Sequence, residues 1–315
     1  MEHREGIRLG TCSWVEKSLI DSGVFYPPEA TTAEARLRYY AARFDTVEVE
    51  STFYALPTEA MVHAWCNRTP PGFLFHLKAH GILTGHPVDP RLLPVELEAL
   101  LPPADRNAET VRVTDPALVK NFAEKLKEVV APLRRLHRLG FIVLQFPPWF
   151  GFQKRNLAYL AHCKELLSGL PIAVEFRHGS WLTRHHVDYL FAFLKEHGIT
   201  YITCDEPQFG TLATAPFVPA ATTAIAYLRL HGRNAENWLD HATPRYAYRY
   251  SQDELASFAN VAAHLRQSCR LVFVMFNNCH QGHSLVNAGS LQQILAGNPH
   301  TASDNAGSLL HKTSC

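Results

Sequence analysis

Short runs of apolar residues recur along the chain at the length of β-strands, and amphipathic stretches separate them. The amphipathic stretches carry apolar residues three and four positions apart, which is the spacing of one helix face. The strand-length runs are Ile7–Trp14, Thr46–Tyr54, Phe73–His80, Phe141–Phe146, Ile172–Arg177, Thr200–Asp205, Ala224–His231 and Leu271–Asn277. The helical stretches are Ala33–Arg43, Ala60–Cys66, Pro116–Leu139, Asn156–Ser168, Val187–His197 and Asp253–Gln267.

Local signals mark several of these boundaries. Asp115, followed by a proline, is a typical N-cap, and Ser251 with Glu254 three residues later predicts a capping box. Gly140 and Gly198 stand just before predicted strands, where the end of a helix often needs a residue with positive φ. The order of elements is therefore strand and helix in alternation.

Eight strands alternating with helices predict a single (β/α)8 TIM barrel, a fold of ~250 residues in its common form. An open doubly wound sheet is the alternative, but neither of its usual glycine-rich phosphate-binding motifs follows a predicted strand. The barrel domain is assigned to residues 1–297, with one long irregular insertion at Gly85–Asp115. The polar tail, residues 298–315, is predicted to be disordered.

Composition limits the possible partners and the compartment. Lys and Arg total 30 against 29 Asp and Glu, so the net charge of +1 provides no general field for nucleic acid. The 7 cysteines include no C-x-x-C pair and are odd in number, which favours reduced thiols in the cytoplasm. The start of the chain lacks the apolar core of a signal peptide, and no run of apolar residues is long enough to span a membrane.

Several motifs in this order resemble the YecE-like family, a domain of unknown function (number 72). They are Gly10–Trp14, Gly23–Pro28, Phe44–Tyr54, Phe146–Pro148, Glu175–His178 with Ser180 and Trp181, Leu230–Gly232 and Phe276–Asn278. The resemblance covers residues 6 to 297 and implies a TIM barrel, in agreement with the strand count, but it implies no activity. Cys12 stands where the family usually has Ser, and Gly179 where it usually has Pro.

The alternation of side chains along each strand separates an apolar face from a polar one. Since the outer face of every strand must pack on helices, the polar face is predicted to point into the barrel. One choice of parity sends nearly all strand charges inward, although strand six is ambiguous. The predicted inward residues are Glu48, Glu50, Thr52, Tyr54, His76, Lys78, His80, Gln145, Glu175, Arg177, Asp205, Tyr227, Arg229, His231, Met275 and Asn277.

The first functional hypothesis is acid–base chemistry on a small anionic substrate at the C-terminal mouth of the barrel, with no cofactor. Lys78, Arg177 and Arg229 would hold a phosphate or carboxylate. Glu50 and Glu175 would act as general base and acid, and His231 titrates near neutral pH and would share this work. The further predicted substrate contacts are Asn277, Tyr54, Trp14 and Trp181.

The second hypothesis is a divalent-metal hydrolase of phosphodiesters, with nucleic acid as the substrate. Its candidate metal ligands are Glu50, His76, Glu175, Asp205 and His231. Its candidate nucleic-acid contacts are Arg184, Arg233, Arg245, Trp14, Trp181 and Trp238. The inward cations Lys78, Arg177 and Arg229 count against this hypothesis because they repel a metal ion.

Two further interpretations remain open. A non-catalytic binding module for a nucleotide, sugar or nucleic acid would use aromatic residues in the loops, namely Trp14, Tyr26, Tyr54, Trp149 and Trp181. For Tyr26 and Trp149, simple loop packing explains the aromatic residue equally well. The inward charges would otherwise form a structural network in which acids and bases neutralise one another.

Overall fold

The computed structural model describes residues 6–238 and 243–297 of the chain. Its strands form a closed, all-parallel barrel in sequence order, in which β8 pairs with β1. The predicted TIM barrel is thus confirmed, because an open sheet would leave those two strands at its edges. The strands are β1 (Gly6–Thr11), β2 (Thr46–Val49), β3 (Leu74–Lys78), β4 (Leu139–Gln145), β5 (Ile172–Glu175), β6 (Thr200–Asp205), β7 (Ile225–Leu230) and β8 (Leu271–Phe276).

Helices follow the strands, and their sequence signals have clear structural counterparts. Ser251 and Glu254 form the predicted capping box, and Asp115 caps the helix that begins at Pro116. The helices are α1 (Lys17–Ser22), α2 (Ala33–Ala41), α3 (Glu59–Arg68), α4 (Gly81–Thr84), α5 (Val95–Glu98), α6 (Pro103–Arg106), α7 (Pro116–Val129), α8 (Ala131–Arg135), α9 (Lys154–Leu166), α10 (Val187–Glu196), α11 (Gln252–Arg266) and α12 (His283–Leu295). Short 3-10 helices lie at Glu50–Phe53, Pro90–Leu92, Gly179–Leu182, Thr243–Tyr246 and His280–Gly282.

The helix predicted over Pro116–Leu139 is broken into two. α7 ends at Val129 and α8 begins at Ala131, with Pro132 in its first turn. A proline has no backbone N–H to donate and its ring clashes with the preceding turn, so one continuous helix cannot form across it. β4 then begins at Leu139, two residues earlier than predicted.

The chain divides into two compact units. The first contains residues 6–47, 203–209, 216–238 and 243–297, and the second contains residues 48–202 and 210–215. In the first unit β8 pairs with β1 along its whole length and with β7 along its whole length. In the second unit β4 pairs with both β3 and β5.

The predicted glycine turns have different outcomes. Gly198 has φ +59°, as expected for the end of a helix. Gly140 lies inside β4 with ordinary strand backbone, so the prediction of a positive φ there was wrong. A Cβ at Gly140 would lie 2.6 Å from the ring of His76. The glycine therefore makes room for that imidazole. The predicted disorder of residues 298–315 lies outside the described residues.

Candidate functional site

The carboxyl ends of β2 and β3 hold a Lys–Glu ion pair. Lys78 is the last residue of β3, and Glu50 begins the 3-10 helix that follows β2. Lys78 Nζ lies 2.7 Å from Glu50 Oε2. The Thr52 hydroxyl contacts the carbonyl oxygens of Val49 and Lys78, each at 2.7 Å, so it links the two chain segments. The Lys78 side chain is 10% exposed and that of Glu50 26%. The cation is thus mostly buried while its carboxylate reaches solvent.

The strand predicted over Thr46–Tyr54 is shorter than its hydrophobic pattern suggested. β2 ends at Val49, and the 3-10 helix removes the two-residue alternation from the residues that follow. The inward orientation predicted for Tyr54 was wrong, since its side chain is 63% exposed. Its carbonyl accepts a hydrogen bond from the His80 ring at 2.9 Å.

Two predicted inward histidines on and after β3 have different surroundings. His76 is fully buried, and its ring stacks on Phe141 with centroids 5.8 Å apart. His80 caps α4, because its Nδ1 accepts from the backbone N–H of Ile82 at 3.2 Å. Burial lowers the pKa of the His80 imidazole to about 4. Its Nε2 therefore donates to Tyr54, and the neutral tautomer satisfies both ring nitrogens.

The end of β5 carries a second ion pair. Glu175 is the last residue of the strand, and Arg177 follows two residues later. Arg177 Nε lies 2.5 Å from Glu175 Oε1, and both side chains are buried. Such a pair is costly to bury and strongly destabilising to break from one side. It fits either a structural ion pair or an anion-binding arginine held in place.

Trp181 is not available to a ligand. It is fully buried, and its indole N–H donates to the Phe150 carbonyl at 2.6 Å. Its ring stacks on Phe176 with centroids 4.4 Å apart and on Phe150 at 5.6 Å. The prediction of Trp181 as a substrate contact was wrong, because the ring fills a packed aromatic layer.

In the first unit, the ends of β7 and β8 bring together an arginine, a histidine and an asparagine. Arg229 is fully buried, and its Nη2 lies 3.7 Å from Cys12 Sγ. His231 is also fully buried, and its Nδ1 lies 2.8 Å from Asn277 Nδ2. With the amide nitrogen donating, Nδ1 accepts and the neutral ring carries its hydrogen on Nε2. These residues face the same way on neighbouring strands, as predicted.

Asp205 faces the helix layer, so its predicted inward orientation was wrong. Its carboxylate accepts hydrogen bonds from Arg233 at 2.7 to 3.0 Å and from the Tyr250 hydroxyl at 2.7 Å. The Tyr250 ring packs on Phe258 of α11, with centroids 5.3 Å apart. This geometry removes Asp205 from the candidate metal ligands.

The same correction applies to the rest of β6. The Tyr201 ring packs on Phe191 of α10 with centroids 5.0 Å apart, so Tyr201 faces the helices. Alternation then turns Ile202 and Cys204 inward, opposite to the inward orientation predicted for Asp205. Cys204 is a buried thiol. A charge on β1, Arg8, is also buried and had not been predicted.

The remaining tryptophans differ in exposure. Trp14 is 7% exposed, and its carbonyl accepts a hydrogen bond from the Tyr26 hydroxyl. Trp238 is 6% exposed and packs edge-on against Tyr246, with the Arg245 guanidinium 5.6 Å from the Trp238 ring. Trp149, for which the sequence leaves both loop packing and a binding role open, is 57% exposed.

The candidate nucleic-acid contact Arg233 is already engaged. Besides Asp205, it contacts Glu254 at 2.9 Å, and Glu254 also accepts from the Tyr248 hydroxyl at 2.8 Å. The paired Asp205 holds the pKa of the guanidinium above its usual value. These contacts tie the loop after β7 to the start of α11.

A family model described as protein of unknown function DUF72 matches residues 8–308. The chain belongs to the DUF72 family. It is also 30% identical over 295 residues to the UPF0759 protein YunF of Bacillus subtilis, covering 92% of this chain and 94% of that protein.

Solved structures of DUF72 proteins share the fold. A protein from Thermotoga maritima is 30% identical, with a TM-score of 0.73 over 92% of this chain and 99% of its own. One from Enterococcus faecalis is 27% identical, with a TM-score of 0.75 over 92% of this chain and 96% of its own. The family assignment rests on similarity in sequence, and the barrel agrees with the solved structures of DUF72 proteins.

The DUF72 match extends into the segment that sequence analysis had set apart as a tail. Within residues 6–238 and 243–297, no helix combines the length and apolarity that crossing a bilayer requires. The family description names no substrate. The chemistry must accordingly be argued from the side chains described above.

Proposed function

We propose that this DUF72 barrel is an enzyme that performs acid–base chemistry on a small substrate bearing a phosphate or carboxylate. The observation that carries the proposal is the Lys78–Glu50 pair, with its 2.7 Å contact and its uneven exposure. A purely structural interior pair would be buried on both sides, and a surface pair would be exposed on both sides. Here a mostly buried cation is held at the edge of solvent by a carboxylate that a substrate can reach.

The roles follow from charge and position. Lys78 binds the anionic group of the substrate, and Glu50 takes or returns a proton next to it. His231 supports proton transfer in the first unit, because its contact with Asn277 fixes the ring orientation and tautomer. Arg229 supplies a buried cation near the end of β7 in the same unit. The proposal assigns no cofactor, and it places the enzyme in the cytoplasm.

The Glu175–Arg177 pair has a supporting role. Both side chains are buried, so a direct proton transfer to solvent is disfavoured, while a positive charge fixed by its neighbour can orient a substrate anion. Net charge does not favour nucleic acid as the substrate, since Lys and Arg exceed Asp and Glu by one residue. A small anionic metabolite is the partner that these residues suit.

The test is a metabolite screen with two substitutions. The protein is incubated with pooled phosphorylated and carboxylated metabolites, and consumption is followed by mass spectrometry. For a substrate found in this way, we expect Lys78→Met to weaken binding by about tenfold or more. We expect Glu50→Gln to leave binding within about threefold and to lower kcat by about 10²-fold or more, as for loss of an acid–base group.

Lys127→Met is the matched control, because Lys127 pairs with Glu124 at 3.0 Å on α7, away from the strand ends. Elemental analysis of protein purified without chelator supplies the contrasting outcome. A stoichiometric divalent metal that is lost in Glu50→Gln would contradict the proposal and favour the phosphodiester hydrolase. Ligand binding without consumption, and without an effect of Glu50→Gln, would instead identify a binding module.

A further inference from the structure

A group of four aromatic rings lies beside the Lys78–Glu50 pair and has no role in the acid–base proposal. This group, here called the ring platform, consists of Phe53, Tyr54, His86 and Trp149. Tyr54 is 63% exposed and Trp149 57%. Phe53 packs edge-on against Tyr54 with centroids 5.1 Å apart and against His86 at 5.0 Å, and His86 contacts Trp149 at 5.7 Å. The two most exposed rings are therefore joined through two half-buried ones.

The long insertion between β3 and α7 contributes His86 to this platform. Val88 and Val111 form an antiparallel bridge with N···O distances of 2.9 and 2.8 Å, which closes the insertion on itself. Gly81 lets the insertion approach, since a Cβ there would lie 2.9 Å from Val88 Cγ1 and 3.5 Å from Phe53 Cζ. The insertion is thus folded so that His86 meets Phe53, which follows β2.

Two cations accompany the rings. Lys78 Nζ lies 4.8 Å from the centroid of the Phe53 ring, and the Arg112 guanidinium lies 5.3 Å from that of Trp149. In the part of the chain that the structure describes, no carboxylate is in ion-pair contact with Arg112. A guanidinium over an exposed indole adds a cation–π contact and leaves the cation in reach of an anion.

His86 stays neutral between these cations. Burial, Lys78 and Arg112 together lower its pKa to about 4. The Thr84 hydroxyl lies 2.8 Å from its Nδ1 and orients the ring. The platform thus presents uncharged π-faces flanked by two positive charges.

We infer that the ring platform binds the base of a nucleoside monophosphate, with Trp149 as the stacking surface and Lys78 and Arg112 attracting the phosphate. Exposed aromatic side chains next to cations suit a planar heterocycle that carries an anion. A mononucleotide is favoured over a nucleic-acid strand because the chain has a net charge of only +1. The inference rests on the proposed function for the binding of the phosphate. It adds a second requirement, the stacking of the base, which can be tested separately.

Fluorescence offers a direct readout. Trp149 is the exposed tryptophan of the described chain, while Trp14, Trp65, Trp181 and Trp238 are each 7% exposed or less. Titration with the four ribonucleoside monophosphates is expected to quench tryptophan emission, and calorimetry gives the affinity. Ribose 5-phosphate supplies the anion without the base, and adenosine supplies the base without the anion.

At least one monophosphate is expected to bind about tenfold or more tightly than ribose 5-phosphate, and Trp149→Ala is expected to abolish that advantage. Tyr189→Ala is the matched control, since Tyr189 is 60% exposed on α10. Thermal unfolding of each variant verifies that it is folded. If ribose 5-phosphate binds as well as every monophosphate and Trp149→Ala changes nothing, the inference is wrong while the proposed function stands.

The opposite failure is distinguishable. Adenosine binding that depends on Trp149, without any effect of Lys78→Met on the monophosphates, would retain the stacking site and contradict the proposed anion site. A ten-nucleotide single-stranded DNA that binds more than a hundredfold tighter than all monophosphates, with steep salt dependence, would overturn the mononucleotide as occupant. Each result thus supports or contradicts either the stacking of the base or the binding of the phosphate.

Discussion

Two neighbouring regions of the second unit are both built from aromatic side chains, and they differ in what covers them. In the packed layer, Trp181 is enclosed by Phe150 and Phe176, and its N–H is bonded to a backbone carbonyl. In the ring platform, Trp149 is 57% exposed. Trp149 and Phe150 are adjacent in sequence, yet one belongs to each region. The comparison separates aromatic residues that stabilise the fold from those left available to a ligand.

The largest expected difference concerns Trp181. Replacing Trp181 by alanine leaves a cavity in a closed aromatic stack, and we expect the free energy of unfolding to fall by about 4 kcal/mol. Trp181→Phe keeps a ring but leaves the Phe150 carbonyl without its donor, with an expected loss of about 2 kcal/mol. Urea unfolding followed by circular dichroism measures both. A loss below about 1 kcal/mol for the alanine variant would remove the distinction between the two regions.

The next largest expected effect is a pH dependence of the free energy of unfolding, caused by His80. His80, whose ring bonds the Tyr54 carbonyl, has its pKa lowered by burial to about 4 in the folded protein. Below a pH of about 6.5, His80 binds a proton in the unfolded chain but not in the folded protein. The free energy of unfolding therefore decreases as the pH falls, until the pH reaches about 4. Between pH 7 and 5 this contributes about 2 kcal/mol.

The measurement compares the fall in unfolding free energy from pH 7 to 5 in the wild type and in His80→Gln. The variant should lose about 2 kcal/mol less over that interval. His86 contributes equally to both proteins, and His185→Gln, which removes an exposed histidine, is the control. Equal pH slopes for wild type and His80→Gln would show that His80 is not held neutral.

A smaller effect is expected at the contact that seats the insertion. In Gly81→Ala the new Cβ would press on Val88 Cγ1, which is buried and has little freedom to move. We expect a loss of about 1 kcal/mol by overpacking, together with a changed environment for Trp149 fluorescence. Val88→Ala in the same chain should recover part of the loss, and a double-mutant cycle without such coupling would contradict the account.

The smallest stability effect is expected at Trp149 itself. Because its ring is 57% exposed, Trp149→Ala should change the free energy of unfolding by less than about 0.5 kcal/mol. Measured in the same urea series as Trp181→Ala, it completes the contrast between the regions. A loss comparable to that of Trp181→Ala would assign Trp149 to packing, as the sequence alone had allowed.

The alternation of strand residues predicted the barrel and most of the buried charge, because alternation is a local property that the sequence displays directly. Glu175, Arg229 and His231 are all fully buried, as that pattern requires. The orientation of β6 was wrong because both of its faces are compatible with burial. The partner that decides it, Tyr250, lies 45 residues away from Asp205.

Local sequence patterns could not predict which aromatic side chains are exposed. Trp149 and Trp181 both follow strands and both stand near prolines or glycines in sequence, so local patterns could not tell that the first is 57% exposed and the second is buried. Tyr54 was placed inside because an apolar-alternating run continued past the point where the chain turns into a 3-10 helix. Which ring is covered depends on contacts between separate segments: Trp181 stacks on Phe150 and Phe176, whereas Trp149 meets His86 and Arg112 of the insertion.

Gly140 and His76 occupy one space between two strands, since a methyl group at residue 140 would fall 2.6 Å from the imidazole. Neither position can therefore drift alone during evolution. A relative that carries a side chain at the position of Gly140 is expected to have a smaller residue in place of His76. Conversely, a smaller residue at the position of His76 would leave room for a side chain at the position of Gly140. The two positions should covary among homologues. A designer who wishes to repack this part of the barrel must change both residues together.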